Sequence, residues 1–594
     1  MSRKIIIDIE TDSLDATCIW CVVCKEIHNT EYKVFRDAES LNNYIHRDDV
    51  FIAHNGITFD FPVLNRLWDT KFKLSNVEDT LIMSRLFNPE REGGHSLNAW
   101  GQRLGHNKIE FHDFDQYSEE MLKYCKRDVS ITEKLYHLLT VEGKPFSRQS
   151  IELEYRIARV IDNQRNHGFF VDKRKAVALF AETKGKAKTI EEEVHQHFLP
   201  RAKLIREVIP RYTKKGDMSK VGLSGIDVDE VGGPFSLIQF KPFNLGSPKQ
   251  IIERLDEFGW KPVMFTPKGS PKICEENLRT VFDSAPEPAR KLAEWKMLET
   301  RWKTVEAWLE NLDRNDRIHG TVYTMGAVTG RMTHANPNMA NIVSNDKPYG
   351  KECRACFTVP NSNYRMVGMD AKGLELRMLA HYMQDKAYMD IVVNGDPHEL
   401  NRIAAGLETR AESKRFIYAF LYGAGVEKLG SVVGGTAMDG AILRRNFLRN
   451  IPSLGKLITK VQTMAEKGTL LGLDGRRILV RHQHAALNTL LQGAGAISCK
   501  QWSICMDEHI RKHRLKAHLV NTIHDEMQFE VHKDDVEKII SSADLTMRKA
   551  GNILGVRLPL NADAKLGLKW TETHKKKGTQ YERTCSNQRK RHVG

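Results

Sequence analysis

The chain has 594 residues, with 90 Lys plus Arg against 76 Asp plus Glu and a formal net charge of +14. That length buries several cores without disulfide staples, and the basic excess suits a polyanionic partner. Ten cysteines in no regular framework fit a reducing interior, and no apolar run approaches the roughly 20 residues of a membrane span, so no membrane partner is expected. The opening MSRKIIIDIE enters a strand-like run at once and does not read as a signal peptide.

Residues 1–147 alternate short apolar runs, such as KIIIDIE and VFIAHNG, with helical periodicity, which predicts an α/β domain. In IIIDIET, Asp8 and Glu10 lie two apart on a strand and leave it on one face. AHNGITFDFPVL adds Asp60 in an apolar setting, and YCKRDVSITEKL puts Tyr124 and Asp128 four apart on one helix face. Cys18, Cys21 and Cys24 have the spacing of a metal cluster, but a step of three alternates faces on a strand, so their thiols are expected to diverge. From 148 the period turns helical, in IELEYRIARVIDNQRN and KTIEEEVHQHF. Residues 148–312 therefore read as one helical region, interrupted at 200–244 by an irregular segment rich in Gly and Lys. Ser247, Pro248 and Gln250 then form a helix-start signature.

Further on, YRMVGMDAKGLELRMLAHYM places Asp370 at a strand end, with a helix starting near Leu374 after Gly373. TRAESKRFIYAFLYGAG sets Arg410, Lys414 and Tyr418 along one helix face, opposite the apolar Phe416, Ile417, Phe420 and Leu421. LVNTIHDEMQFEV predicts a β-hairpin with His524, Asp525 and Glu526 at its turn. Adjacent carboxylates repel, so Asp525 and Glu526 need a cation, hydrogen bonds or water. The basic, aperiodic stretch from Lys575 predicts a disordered tail.

Asp8, Glu10, Asp60, Tyr124 and Asp128, taken in order, resemble the three motifs of DEDD-type 3′→5′ proofreading exonucleases, in the subclass with tyrosine. The resemblance implies that the four acids hold two divalent metals and that Tyr124 helps orient the attacking water. The later segments TGRMTHANPNMANI, DAKGLELRMLAH, FIYAFLYGAG, HAALNTLLQGAGA and IHDEMQF are similar to the motifs of family A DNA polymerases, with wording closest to those of short-tailed bacteriophages. This implies an RNase H-like α/β exonuclease domain at 1–147 followed by an α+β right hand. The hand would have its thumb at 148–312, palm at 313–384 and 495–574, and fingers at 385–494.

Carried over by position, Asp370 and Asp525 become metal ligands, joined by the backbone carbonyl of Ala371 and supported by Glu526. The cofactor implied is a pair of Mg²⁺ ions in each site, with Mn²⁺ as a substitute. His398, Arg410 and Lys414 match triphosphate-binding positions, and Lys414 also matches the proton donor to pyrophosphate. Tyr418 would lie against the incoming base and sugar, and with Glu375 would crowd a ribose 2′-hydroxyl. Arg331, Asn488, Gln492 and His524 match contacts to the primer-template. The implied function is replicative DNA synthesis with proofreading, in the cytoplasm of an infected bacterium. Primer-template DNA and dNTPs would be its substrates, with a phage helicase-primase and a single-stranded DNA-binding protein as partners. Segment 200–244 gives no match to the loop that recruits thioredoxin in some phage relatives, so no processivity factor is named. The chain leaves no room ahead of Asp8 for the 5′-nuclease domain of bacterial repair relatives, which favours the phage reading.

Overall fold

The computed structural model describes residues 2–70, 72–219, 231–281 and 286–573; the basic tail expected from Lys575 lies outside them. The chain divides into two compact units, one of residues 1–171 with 313–594 and one of residues 172–312.

The first unit opens with β1 (Lys4–Thr11), the centre of a five-stranded sheet with β2 (Ile19–Glu26), β3 (Lys33–Phe35), β4 (Val50–Ala53) and β5 (Val77–Asp79). The order is β3-β2-β1-β4-β5, with β1 antiparallel to β2 and parallel to β4. Strand alternation sends Ile5, Ile7 and Ile9 into one core and Ile6 into another. Asp8 and Glu10 share the Ile6 face, against which α1 (Glu119–Glu142) packs. That helix starts where Ser118 accepts from the Met121 N–H and two acids, Glu119 and Glu120, meet the positive end of its dipole. Cys21 and Cys24 enter opposite cores, as their spacing requires.

The next helix is α2 (Arg148–His167). Sequence periodicity groups it with the region 148–312, yet it belongs to the first unit, and the second begins at Asp172. Its apolar stripe of Leu153, Ile157, Val160 and Ile161 packs against Ile497 and Ile504, far along the chain, and local periodicity carries no trace of that partner.

In the second unit α3 (Lys173–His197) packs against α4 (Glu287–Glu310). Between them the segment expected to be irregular contains an antiparallel ribbon, β6 (Arg201–Val208) with β7 (Phe235–Lys241), whose register shifts between Leu204 and Arg206. The ribbon is solvent-exposed on both faces, so no buried alternation marks it in the sequence. The helix Pro248–Asp256 begins as predicted, with Ser247 accepting from the Gln250 N–H.

The remainder of the first unit is built on β8 (Tyr364–Ala371), α5 (Leu374–Met383), α6 (Arg410–Leu421), α7 (Ala486–Lys512), β9 (Ala517–Ile523), β10 (Glu526–His532) and β11 (Ala562–Gly567). The four strands form one antiparallel sheet in the order β9-β10-β8-β11. One core joins this sheet to α5, α6 and α7 through residues such as Met369, Leu379, Phe416, Trp502 and Phe529. Among the described residues no helix is long and apolar enough to cross a membrane.

Candidate active sites

The first site forms where β1 meets α1. One ligand atom from each of Asp8, Glu10 and Cys125 lies within 4.8 Å of the other two, and the Cys125 thiol donates to Asp8 Oδ2 at 3.4 Å. Asp60, buried at the start of the helix Asp60–Leu67, lies near the backbone of Ile9, between the two acids of β1, and its charge adds to the repulsion on Asp8. Asp128 is buried on α1 and holds Lys108 Nζ at 2.5 Å, while its other oxygen, Oδ1, is buried with no hydrogen-bond partner. Lys108 also lies 4.6 Å from the ring centre of Tyr124. The four sequence-predicted acids and Tyr124 are thus brought together.

Their electrostatics suit a cation. Burial, and then repulsion from Asp128, pushes Asp8 well above the carboxylate range and Glu10 up to about 9. Burial likewise pushes Asp60 up to about 7 and raises Asp128. Crowded hard oxygen donors with an orphaned buried oxygen fit a divalent ion such as Mg²⁺ or Mn²⁺. Sequence reading missed two residues here. Cys125 is three before Asp128, so helical spacing could have found it. Lys108 sits in an aperiodic loop and gave no signal.

The second site forms at the ends of β8 and β10. Asp370 pairs in register with Glu526 on one side and Asp563 on the other. Ile523 pairs with Glu526, which leaves His524 and Asp525 as the hairpin turn, His524 in the left-handed region at φ 51°. Burial, then Asp525 and Glu526, pushes Asp370 up to about 7, and burial also raises Asp525. These two acids line a cavity of about 410 Å³ together with Arg331, Ala371, Glu375, Tyr418 and His524. Tyr422 and Lys500, which sequence reading passed over, line it too. Tyr422 Oη donates to Glu375 Oε1 at 2.7 Å, and Arg331 Nη2 lies 3.6 Å from the same oxygen. Tyr422 is one turn beyond Tyr418, so the helical period contained it.

The remaining predicted residues lie outside that lining. Thr409 and Glu412 form a capping box that starts α6, whose Phe416, Ile417, Phe420 and Leu421 are buried; Arg410 and Lys414 are exposed. Arg410 Nε is 2.6 Å from Asp396 Oδ2, and Asp396 caps the helix Pro397–Ala405 that carries His398. Ser413 Oγ donates to the His398 carbonyl at 2.6 Å, and the His398 and Tyr418 rings are 6.3 Å apart. On α7, Gln492 Nε2 donates to Asn488 Oδ1 at 2.9 Å. Glu526 Oε1 accepts from Gln528 Nε2 at 2.5 Å and Trp570 Nε1 at 2.9 Å, so hydrogen bonds spread its charge.

Comparison with known proteins follows the same division. A family described as DNA polymerase family A matches residues 234–572, and one described as 3′-5′ exonuclease matches residues 2–144. A DNA-directed DNA polymerase of Enterobacteria phage T3 is 31% identical over 96% of this chain and 99% of its own length. That of Escherichia phage T7 is 30% identical over 96% of this chain and 100% of its own. Among solved structures, the polymerase domain of Pol1 from M. smegmatis, in complex with DNA primer-template and dNTP, shares the fold at a TM-score of 0.76, with 18% identity and 96% of both chains covered.

Proposed function

This chain belongs to DNA polymerase family A, it is a DNA-directed DNA polymerase with a 3′→5′ exonuclease domain, and we propose that its two carboxylate clusters house the two activities. Enzymes of these families are generally dependent on divalent metal ions. On this reading residues 1–147 proofread, 148–312 form the thumb, 313–384 and 495–574 the palm, and 385–494 the fingers. The phage relatives support a role in phage DNA replication. The setting proposed with it is the host cytoplasm, with a helicase-primase and a single-stranded DNA-binding protein as partners.

In the exonuclease site Asp8, Glu10, Asp60 and Asp128 would hold two Mg²⁺ ions. Tyr124, steadied by Lys108, orients the attacking water. In the polymerase site Asp370, the Ala371 carbonyl and Asp525 would hold two more, with Glu526 in support. Such ions, replaceable by Mn²⁺, supply charge neutralisation at the attacking and leaving oxygens of a phosphoryl transfer. His398, Arg410 and Lys414 bind the triphosphate, and Lys414 protonates the departing pyrophosphate. Carboxylate and phosphate claim the same guanidinium fork, so Arg410 exchanges Asp396 for the nucleotide. Tyr418 packs on the incoming base and sugar, and Glu375, held by Tyr422, excludes a 2′-hydroxyl. Arg331, Asn488, Gln492 and His524 meet minor-groove acceptors that correct base pairs present alike.

The observation that carries this reading is the pair Asp370 and Asp525, two acids raised by burial and by neighbouring charge in one cavity with Arg331 and Tyr418. Primer extension with dNTPs and Mg²⁺, with and without chelator, tests it. Extension that persists in Asp525→Asn at the wild-type rate would overturn the assignment.

A further inference from the structure

We propose that a buried cluster of four charged side chains, Glu154, Lys500, Arg476 and Asp474, is a positioning device for the primer end. It fixes the loop that carries Arg331 and the helix that carries Asn488 and Gln492 in one mutual geometry. The inference rests on the reading above, in which those three residues meet the primer-template.

The four groups come from distant parts of the chain: Glu154 from α2, Asp474 and Arg476 from the turn of a short hairpin (Thr469–Leu471 with Arg477–Leu479), and Lys500 from α7. Their side chains are 0 to 2% exposed. Glu154 Oε1 lies 2.6 Å from Lys500 Nζ and 2.7 Å from Arg476 Nη1, and Arg476 Nη2 lies 2.6 Å from Asp474 Oδ2. Two positive and two negative charges balance within one buried cluster.

The cluster supports the loop from beneath. Arg476 Nη1 and Lys500 Nζ both lie 3.3 Å from the sulfur of Met325. Gly330, at φ 78°, sits so close that a Cβ there would lie 3.2 Å from Arg476 Nη1. The Gly330 N–H donates to the Ala327 carbonyl at 2.8 Å and the Ala327 N–H to the Arg331 carbonyl at 3.1 Å, which closes the loop above the guanidinium. Arg331 then emerges into the cavity beside Glu375. Lys500 lies eight residues beyond Gln492 on α7, about 12 Å along the axis, and lines the same cavity.

Stability alone is a poor reason for such a cluster. Replacing a buried ion pair with well-packed apolar groups is often neutral or stabilising, because both charges lose their hydration. What directional charge pairs add here is one fixed geometry, shared by the loop and the helix that converge on the second site.

The double variant Glu154→Leu with Lys500→Met removes both ion pairs that Glu154 makes, to Lys500 and to Arg476, and leaves only the Arg476–Asp474 fork. Its kcat on a matched primer is expected to fall about tenfold to hundredfold, as misplacement of a reacting end does. The KM for dNTP should stay near wild type, and the preference for matched over mismatched primers should narrow. Exonuclease activity on single-stranded DNA and the Tm should hold. A folded double variant with wild-type kcat and matched-to-mismatched preference overturns the proposal. So does a parallel loss of both activities, which marks a merely structural role. If the double variant does not fold, Met325→Leu removes only the shared sulfur; a narrowed preference supports the proposal and an unchanged one overturns it. Arg331→Ala separates the underlying reading: an unchanged preference there sinks the primer-end assignment. A narrowed preference there beside an unaltered double variant sinks this inference alone.

Discussion

The backbone N–H of Ala371 donates to the carbonyl oxygen of Asp525 at 3.0 Å. The end of β8 and the tip of the β9–β10 hairpin are therefore tied together through their main chains, whatever the carboxylates do. Mutual repulsion of Asp370 and Asp525 is resisted by the sheet itself, which lets the two acids stay close before any cation arrives.

That tie makes Asp525→Asn a clean test, since the amide keeps the size of the side chain and the backbone bond while losing the charge. Polymerisation should fall by about 10²-fold or more, the scale of losing one electrostatic contact to a developing charge. Exonuclease activity on single-stranded DNA should survive. Asp8→Ala with Asp128→Ala should give the reverse. Loss of both activities in either folded variant, checked by circular dichroism, would show that the two clusters do not act separately.

Much of this geometry was legible in the residues themselves. Alternation along β1 put Asp8 and Glu10 on one face, and alternation along β2 parted Cys21 from Cys24. The apolar runs around His524 and Asp525 gave the hairpin, and the helical period gave the stripe of α6. What was not legible has long-range causes. The partner of α2 lies more than three hundred residues away, near Ile497 and Ile504, and Lys108 reaches Asp128 from a loop without period. The ribbon of β6 and β7 has no buried face to leave a pattern. The cluster around Arg476 draws four charged residues from three elements, each of which reads locally as solvated.

The segment just after β6 offers a second prediction. Lys214 and Lys215 are exposed there, in a turn closed by Gly216 N–H to the Thr213 carbonyl at 3.0 Å. If the ribbon touches DNA, replacing both lysines with alanine should weaken binding and lower the slope of log Kd against log salt by up to about 1.8, the counterions of two phosphates. Anisotropy titrations across a salt series would measure it. An identical slope would place these lysines away from DNA.

Glu530 allows a prediction about acid stability. It accepts from Arg317 Nη2 at 3.0 Å on both oxygens and from His167 Nε2 at 3.2 Å, and His167 stacks on His518 at 3.9 Å. Burial alone would raise its pKa, but the hydrogen bonds from His167 and Arg317 outweigh it and hold the group below its ordinary 4.5. The native state then binds fewer protons than the unfolded one in that range, so this contribution is present above the ordinary 4.5 and is lost as pH falls through the native pKa. Glu530→Gln should cost about 3 kcal/mol at pH 7 by leaving Arg317 without its charge partner. In urea melts the gap between wild type and variant should shrink as the pH falls below 4.5. A gap of the same size at low and neutral pH would show that the pairing does not carry the effect.

Tyr418 carries the last prediction. It is half-buried in the cavity beside Glu375, and burial, then the Glu375 charge, holds its phenol above the ordinary value, so it keeps its proton at neutral pH. On the proposed assignment that hydroxyl lies where the 3′-hydroxyl of an incoming nucleotide would sit. A polar atom at that place can stand in for an interaction the nucleotide normally supplies itself. The enzyme should therefore incorporate dideoxynucleotides almost as readily as normal ones. Tyr418→Phe removes the substitute, so the analogue that lacks its 3′-hydroxyl leaves a buried partner unsatisfied, at a cost of about 1–3 kcal/mol. Discrimination against ddNTPs should then rise by about tenfold to a few hundredfold, with ordinary dNTP incorporation largely intact. Single-nucleotide extension, comparing kcat/KM for ddNTP and dNTP in both proteins, measures it. Equal discrimination in the two would mean that the hydroxyl does not face the sugar, and the role given to Tyr418 would fall.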